Sequence, residues 1–170
     1  QNYFELFDLE TSFFVDDEAL KKAYQAQVTR FHPDNFATKS QAEQLQALQS
    51  TSLLNSAYTA LKTPLNRASY LLNLEDVNPF DEKDTNMDAN FLLSQIELRE
   101  QLEGIKEQQD SLALDDFIER VQDFIRDNVA SISEAFMQSR DVQEIKTLVR
   151  ELKFYDQLNK QANILMDEWL

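Results

Sequence analysis

Apolar residues recur along this chain at helical intervals, and the points where the rhythm breaks define its organisation. Leu20, Tyr24, Val28 and Phe31 follow spacings of four, four and three, with Asp16 or Asp17 ahead of them as the N-cap. A second stripe runs through Leu45, Leu48, Leu54, Tyr58 and Leu61. It begins after Ser40-Gln41-Ala42-Glu43, a capping-box pattern in which hydroxyl and carboxylate serve each other's free backbone donors. It stops at Thr63-Pro64, where Thr63 can cap and Pro64 suits the first position of another helix, expected over Leu65 to Leu72.

From Asn73 to Asp88 the chain turns polar and acidic and contains Pro79, the signature of a linker. Three more helices are expected beyond it: Asp88 to about Gln108, about Asp115 to Gln138, and about Asp141 to the end. The pattern therefore predicts an all-α protein. Residues 1–75 form an N-terminal helical hairpin with short flanking helices, 76–87 a linker, and 88–170 a three-helix bundle. A single Gly and three Pro in 170 residues agree, since sheet folds need many more turn residues.

The helix from Asp88 has more apolar surface than one stripe requires. At 100° per residue, with Leu92 at zero, Phe91, Leu98, Leu102 and Ile105 gather near 220–280°, a core face. Leu92, Leu93 and Ile96, with Glu97 and Glu100, fall between zero and about 140°. In the last helix Ile145, Leu148, Val149 and Leu152 form the buried stripe, while Phe154 lies about 200° from Leu152. Such a second face is either packed on another element or a partner surface, aliphatic with a carboxylate rim.

Between the first two long helices stands His32-Pro33-Asp34, which contains the only histidine. Proline pushes its predecessor out of the α region and lacks an N–H, so the helix must end at His32 and a loop must follow. The triplet is either a plain helix stop with a cap or a polar tip that offers an imidazole and a carboxylate to another molecule. Its surroundings favour the tip: Ala19 to Phe31 carries Lys21, Lys22 and Arg30 and no acid. That local positive charge sits on a chain of net charge −15, and it would steer an acidic partner.

The overall charge argues against nucleic acid as a ligand, because phosphate neutralisation needs a basic surface. No apolar run approaches the roughly 18 residues of a membrane span, and Gln1-Asn2-Tyr3-Phe4-Glu5 lacks the basic start and apolar stretch of a secretory signal, so a cytoplasmic protein is expected. Without cysteine there is neither a disulfide nor a thiolate site for zinc or an iron–sulfur cluster, and no cofactor is expected. One imidazole, no thiol and one Gly also leave no nucleophile–base pair beyond His32 and no phosphate-cradling loop. The chain reads as a binding protein, not an enzyme.

The short helix Tyr3 to Phe7, the helix to Phe31, His32-Pro33-Asp34, and Leu54-Asn55-x-Ala57-Tyr58-x-x-Leu61 together resemble a J-domain, the part of DnaJ-type co-chaperones that stimulates a DnaK-type ATPase. Pro64, Arg67-Ala68, Tyr70-Leu71-Leu72 and Phe91-Leu92-Leu93-x-Gln95-x-Glu97-Leu98-Arg99-Glu100 narrow the likeness to the HscB-type co-chaperones of bacterial iron–sulfur cluster assembly, over essentially the whole chain. The resemblance implies a regulator that stimulates an HscA-type ATPase through His32, Pro33, Asp34, Lys21, Lys22 and Arg30. It also implies delivery of the IscU-type iron–sulfur scaffold protein, held by Leu92, Leu93, Ile96, Glu97, Glu100 and Phe154. Eukaryotic members typically carry a cysteine-rich N-terminal extension that is missing here, so the likeness favours a bacterial member.

Two departures qualify the likeness. Gly104 stands where the family tends to have another acid, and a bend or fraying of the helix is expected there. Gln25 and Ala26 replace the Lys-Arg pair of general DnaJ proteins, which fits a specialised ATPase partner better than a general one. The alternatives are a general J-protein that delivers unfolded clients and an unrelated helical adaptor.

Overall fold

The computed structural model describes residues 1–81 and 88–170, and every regular element among them is helical. The chain divides into two units, Gln1–Leu74 and Glu75–Leu170.

In the first unit α1 spans Tyr3–Leu6, α2 Asp17–Arg30, α3 Gln41–Leu61 and α4 Pro64–Leu74, with a 3₁₀ turn at Pro33–Phe36. Asp16 caps α2 by accepting from the N–H groups of Glu18 and Ala19. At α3 only half of the expected capping box forms: Ser40 Oγ accepts from the Glu43 N–H, but the Glu43 carboxylate accepts a hydrogen bond from the Ser40 hydroxyl and not from the Ser40 backbone N–H. The core joins Phe4, Phe7, Leu20, Leu54, Ala57 and Leu61. Across the hairpin Tyr24 stacks on Tyr58 at 4.2 Å, and its hydroxyl donates to Asn55 Oδ1 at 2.6 Å.

The second stripe is buried only over its later part. Leu54 and Leu61 are in the core, whereas Leu45 and Leu48 are exposed. At 100° per residue Leu45 and Leu48 lie about 160° and 100° from Ala47, which is buried in the same turns, and the six-residue step from Leu48 to Leu54 breaks the helical phase, so the two leucines stand off the inward face.

Arg67 of α4 ties this unit together. Its Nε donates to the Phe13 carbonyl and Nη1 to that of Leu61, each at 2.7 Å, while the guanidinium lies over the Phe13 ring. Burial pulls its pKa below the ordinary arginine value, an effect that the Asp17 carboxylate partly offsets.

In the second unit α5 spans Ala89–Gln108, α6 Ser111–Met137 and α7 Val142–Trp169. Asp88 and Asp141 cap α5 and α7, close to where these helices were expected to start, while α6 starts four residues earlier than its apolar pattern suggested, capped by Asp110. Gln109 closes α5 in the left-handed region at φ 52°, and the Asp110 N–H reaches back to the Ile105 carbonyl. Helix α5 continues through Gly104 to Gln108, so it does not fray at that glycine. The second half of the linker expected over 76–87, residues 82–87, lies outside the described residues. Of its earlier part, Pro79 is fully buried, and the Lys153 ammonium sits 4.0 Å from the centre of the Phe80 ring.

The bundle core comprises Phe91, Leu98, Leu114, Phe117, Ile118, Val121, Phe154, Leu158, Ala162 and Leu165. Phe91 meets Phe154, and Leu102 and Lys106 line one groove with Ile164 and Leu165. Thus α5 and α7 run in the same direction, with α6 returning between them.

Candidate functional site

Two surfaces carry the residues singled out by the sequence, one in each unit.

The triplet sits in the α2–α3 connection. Helix α2 is closed at Phe31, and His32 takes φ −59° and ψ 138°, the extended conformation that a following proline demands. The Asp34 N–H donates to His32 Nδ1 at 3.2 Å. An imidazole that accepts at Nδ1 carries its proton on Nε2, so this hydrogen bond assigns the tautomer and leaves Nε2–H as the outward donor. The Asp34 carboxylate approaches Nδ1 at 3.6 Å. The two side chains are 54% and 91% exposed, so imidazole and carboxylate are both open to a visitor.

The loop beneath them is tied down by its own side chains. Asn35 Nδ2 donates to the Thr29 carbonyl at 2.8 Å, and the Asn35 N–H to that of His32 at 2.9 Å. Gln44 Nε2 spans the carbonyls of Phe36, Ala37 and Lys39 at 3.1–3.5 Å. Phe31 stacks on Phe36, and the Arg30 guanidinium lies over Phe31. Loop carbonyls that would otherwise need water are thereby occupied, and the tip is held in one shape.

The three cations of α2 do not form one cluster. All are exposed, but Lys21 and Arg30, nine residues apart, lie about 180° apart around the helix. Lys21 and Lys22 also stand roughly 15 Å along the axis from the triplet, so only Arg30 adjoins it.

The second surface is on α5. Leu92, Leu93 and Ile96 are 42%, 58% and 54% exposed, while Phe91 and Leu98 of the same helix are in the core. Glu97 and Glu100 are exposed beside them. These five residues share one solvent-facing side of α5.

Phe154 does not join them at the surface. Expected among the exposed residues, it is only 6% exposed, edge-on to Phe91 at 5.8 Å and under the Arg99 guanidinium at 5.3 Å. The reason is the number of neighbours: its level of α7 packs against α6 on one side and α5 on the other, so the helix needs two apolar faces. An exposed cation–π contact of this kind is worth about 0.5–1 kcal/mol, weak enough for the cover to move.

Beside this surface lies a polar node. Asn128 is buried, its Nδ2 3.5 Å from Glu151 Oε2. Burial, reinforced by the Asp88 carboxylate, holds Glu151 above its ordinary pKa, and burial with Glu151 raises Tyr155.

Comparison with known proteins draws the two units together. A DnaJ domain model matches residues 2–70, and a model described as the HSCB C-terminal oligomerisation domain matches residues 87–163. The HscB co-chaperone homologue of Photobacterium profundum is 38% identical over 96% of both chains, and that of Aliivibrio salmonicida 38% identical over 99% of both. The chain belongs to the HscB family of co-chaperones. Among solved structures, the chaperone HscB from Vibrio cholerae superposes with a TM-score of 0.87 at 37% identity over all of both chains. The human co-chaperone HscB gives 0.88 at 29% identity over 96% of this chain and 81% of its own.

Within this HscB-type chain several contributors escaped the sequence reading. Gln44 carried no signal, because a glutamine in the first turn of a helix is unremarkable until its reach to three carbonyls is known. Asn35 directly follows the triplet, and a small amide there could have been read as a turn-forming side chain. Arg67 was visible as part of a family pattern, but its burial was not. No helix among the described residues is long and apolar enough to cross a membrane.

Proposed function

We propose that this HscB-type co-chaperone stimulates the ATPase of an HscA-type, DnaK-like chaperone and delivers an IscU-type iron–sulfur scaffold protein to it. The observation that carries this reading is the tip loop: its backbone is tied by Asn35 and Gln44 while His32 and Asp34 remain exposed. A loop already held in shape loses little freedom on docking. In this reading Asp34 pairs with an arginine of the ATPase and His32 Nε2–H donates one directional hydrogen bond. Pro33 stiffens the turn between them, and Arg30, with Lys21 and Lys22 further along α2, steers an acidic partner surface.

Stimulation requires that the docked loop bind the hydrolysis-competent state of the ATPase better than the others. The chain is thus a regulator of another protein's chemistry and acts in the cytoplasm without a cofactor of its own. On the second unit, Leu92, Leu93 and Ile96 supply burial energy, and Glu97 and Glu100 supply orientation. Phe154 supports that face from below. Holding scaffold and ATPase on one chain raises their effective concentration.

ATP turnover by an HscA-type chaperone, measured with this protein and with or without scaffold, tests the reading. Wild type should accelerate turnover, and His32→Gln should abolish the acceleration while scaffold binding survives. Undiminished stimulation by His32→Gln would end the proposal. The aliphatic face of α5 would also suit a general J-protein, and a pull-down separates the two: one folded scaffold against many denatured proteins. Family membership removes the unrelated adaptor.

A further inference from the structure

Arg99 stands apart from the other charges of its helix. It is the only cation between Ala89 and Gly104, in a segment that also carries Glu97, Glu100 and Glu103. Glu103 is four residues ahead, within reach for an ion pair, although arginine before glutamate is the less favourable order along a helix. Among the described residues Arg99 forms no such pair. Its guanidinium instead lies over the ring of Phe154, itself only 6% exposed.

Its position on α5 is equally specific. Arg99 is three residues from Ile96 and seven from Leu92, so it flanks the exposed aliphatic face on the side towards α7. Glu97 and Glu100 flank the face elsewhere. The rim therefore has a sign pattern, with one cation at the α7 edge and carboxylates around the rest.

We infer that Arg99 is a specificity-determining contact of this face and the movable cover of Phe154. This rests on the scaffold-binding reading and deepens it by naming the complementary chemistry: the scaffold protein presents a carboxylate to Arg99 and cations to Glu97 and Glu100. A guanidinium without an ion pair in the free protein gives up no carboxylate when it takes one from a partner. When it swings to that carboxylate, the Phe154 ring is uncovered beside Leu92 and Ile96, and the aliphatic face gains an aromatic anchor. Phe154 then contributes to binding despite its burial in the free protein.

The test compares three variants of the full chain for binding to the scaffold protein: Leu92→Ala with Leu93→Ala, Arg99→Met, and Arg99→Lys. Arg99→Met keeps an apolar stem over Phe154 but has no charge. It should weaken binding about tenfold and flatten its dependence on ionic strength, whereas Arg99→Lys should retain that dependence. Unchanged melting temperatures identify these as binding effects. In the wild-type protein the Nε–H resonance of Arg99 and the ring resonances of Phe154 should shift as scaffold is added.

Full affinity of Arg99→Met, with binding lost in the leucine double variant, would overturn the role of Arg99 and leave the face intact. Full affinity in both would overturn the face itself. Should Arg99→Met unfold, the wild-type resonances decide: an Arg99 signal unmoved at saturation overturns the inference.

Discussion

The two units present their surfaces by opposite means. In Gln1–Leu74 the exposed groups are polar, and the backbone under them is fixed by side-chain hydrogen bonds from Asn35 and Gln44 and by the Phe31–Phe36 stack. In Glu75–Leu170 the exposed groups are aliphatic, and a regular helix fixes them with no loop involved. The first arrangement suits recognition through a few directed bonds, which a one-atom change destroys. The second suits recognition through area, which erodes gradually as side chains are trimmed. Under the proposed function, a partner ATPase and a partner scaffold would be read by different physics on one chain.

The sharpest break of this comparison sets core against surface within α5 and α7. Phe154→Ala should cost the bundle about 3–5 kcal/mol, the usual range for a buried phenylalanine. Leu92→Ala with Leu93→Ala, on exposed positions, should leave the unfolding midpoint in denaturant close to wild type. Equal losses in the two would mean that the aliphatic face is core after all.

In the first unit the corresponding element is Arg67. Arg67→Met preserves much of the volume but leaves the carbonyls of Phe13 and Leu61 without their donor, and should cost about 2–3 kcal/mol. His32→Gln, on an exposed tip, should cost far less while removing ATPase stimulation. If Arg67→Met melts like wild type, the unit does not depend on that donor fork.

The smallest effect concerns Glu151. Its folded pKa is raised, so the native state holds a proton that the unfolded chain releases at lower pH. Stability attributable to this residue is therefore lost as pH rises from the ordinary glutamate value, about 4.3, through the raised folded value, and is level above it. Glu151→Gln should raise the melting temperature above that window and have little effect below it. A gain independent of pH would assign the effect to packing instead of charge.

Much of this was legible in the chain. The caps Asp16, Asp88 and Asp141, the stop before Pro33 and the start at Pro64 are local devices, written in adjacent residues and independent of what packs where. The second face of α5 was legible as well, because helical periodicity separates Leu92, Leu93 and Ile96 from Phe91 and Leu98, but periodicity left open whether another element covers it, and the family likeness pointed to exposure. The burial of Phe154 was not: periodicity reports the faces of one helix and says nothing of how many neighbours each level meets. Leu45 and Leu48 failed for another reason: the six-residue step from Leu48 to Leu54 puts them off the face that Leu54, Tyr58 and Leu61 share. Gln44 acts through distances that no spacing rule encodes.

One consequence follows from the left-handed turn that closes α5. Gln109, an ordinary L-residue, occupies the conformation in which glycine is most at ease, whereas the chain's sole glycine, Gly104, sits mid-helix, where a Cβ would meet nothing within 4 Å. Each residue type occupies the place that suits the other. Exchanging them, Gly104→Gln together with Gln109→Gly, leaves composition and charge untouched, yet relieves backbone strain at one position and slack at the other. Two residues traded five places apart would toughen the helix that holds the aliphatic face, without adding an atom to the protein.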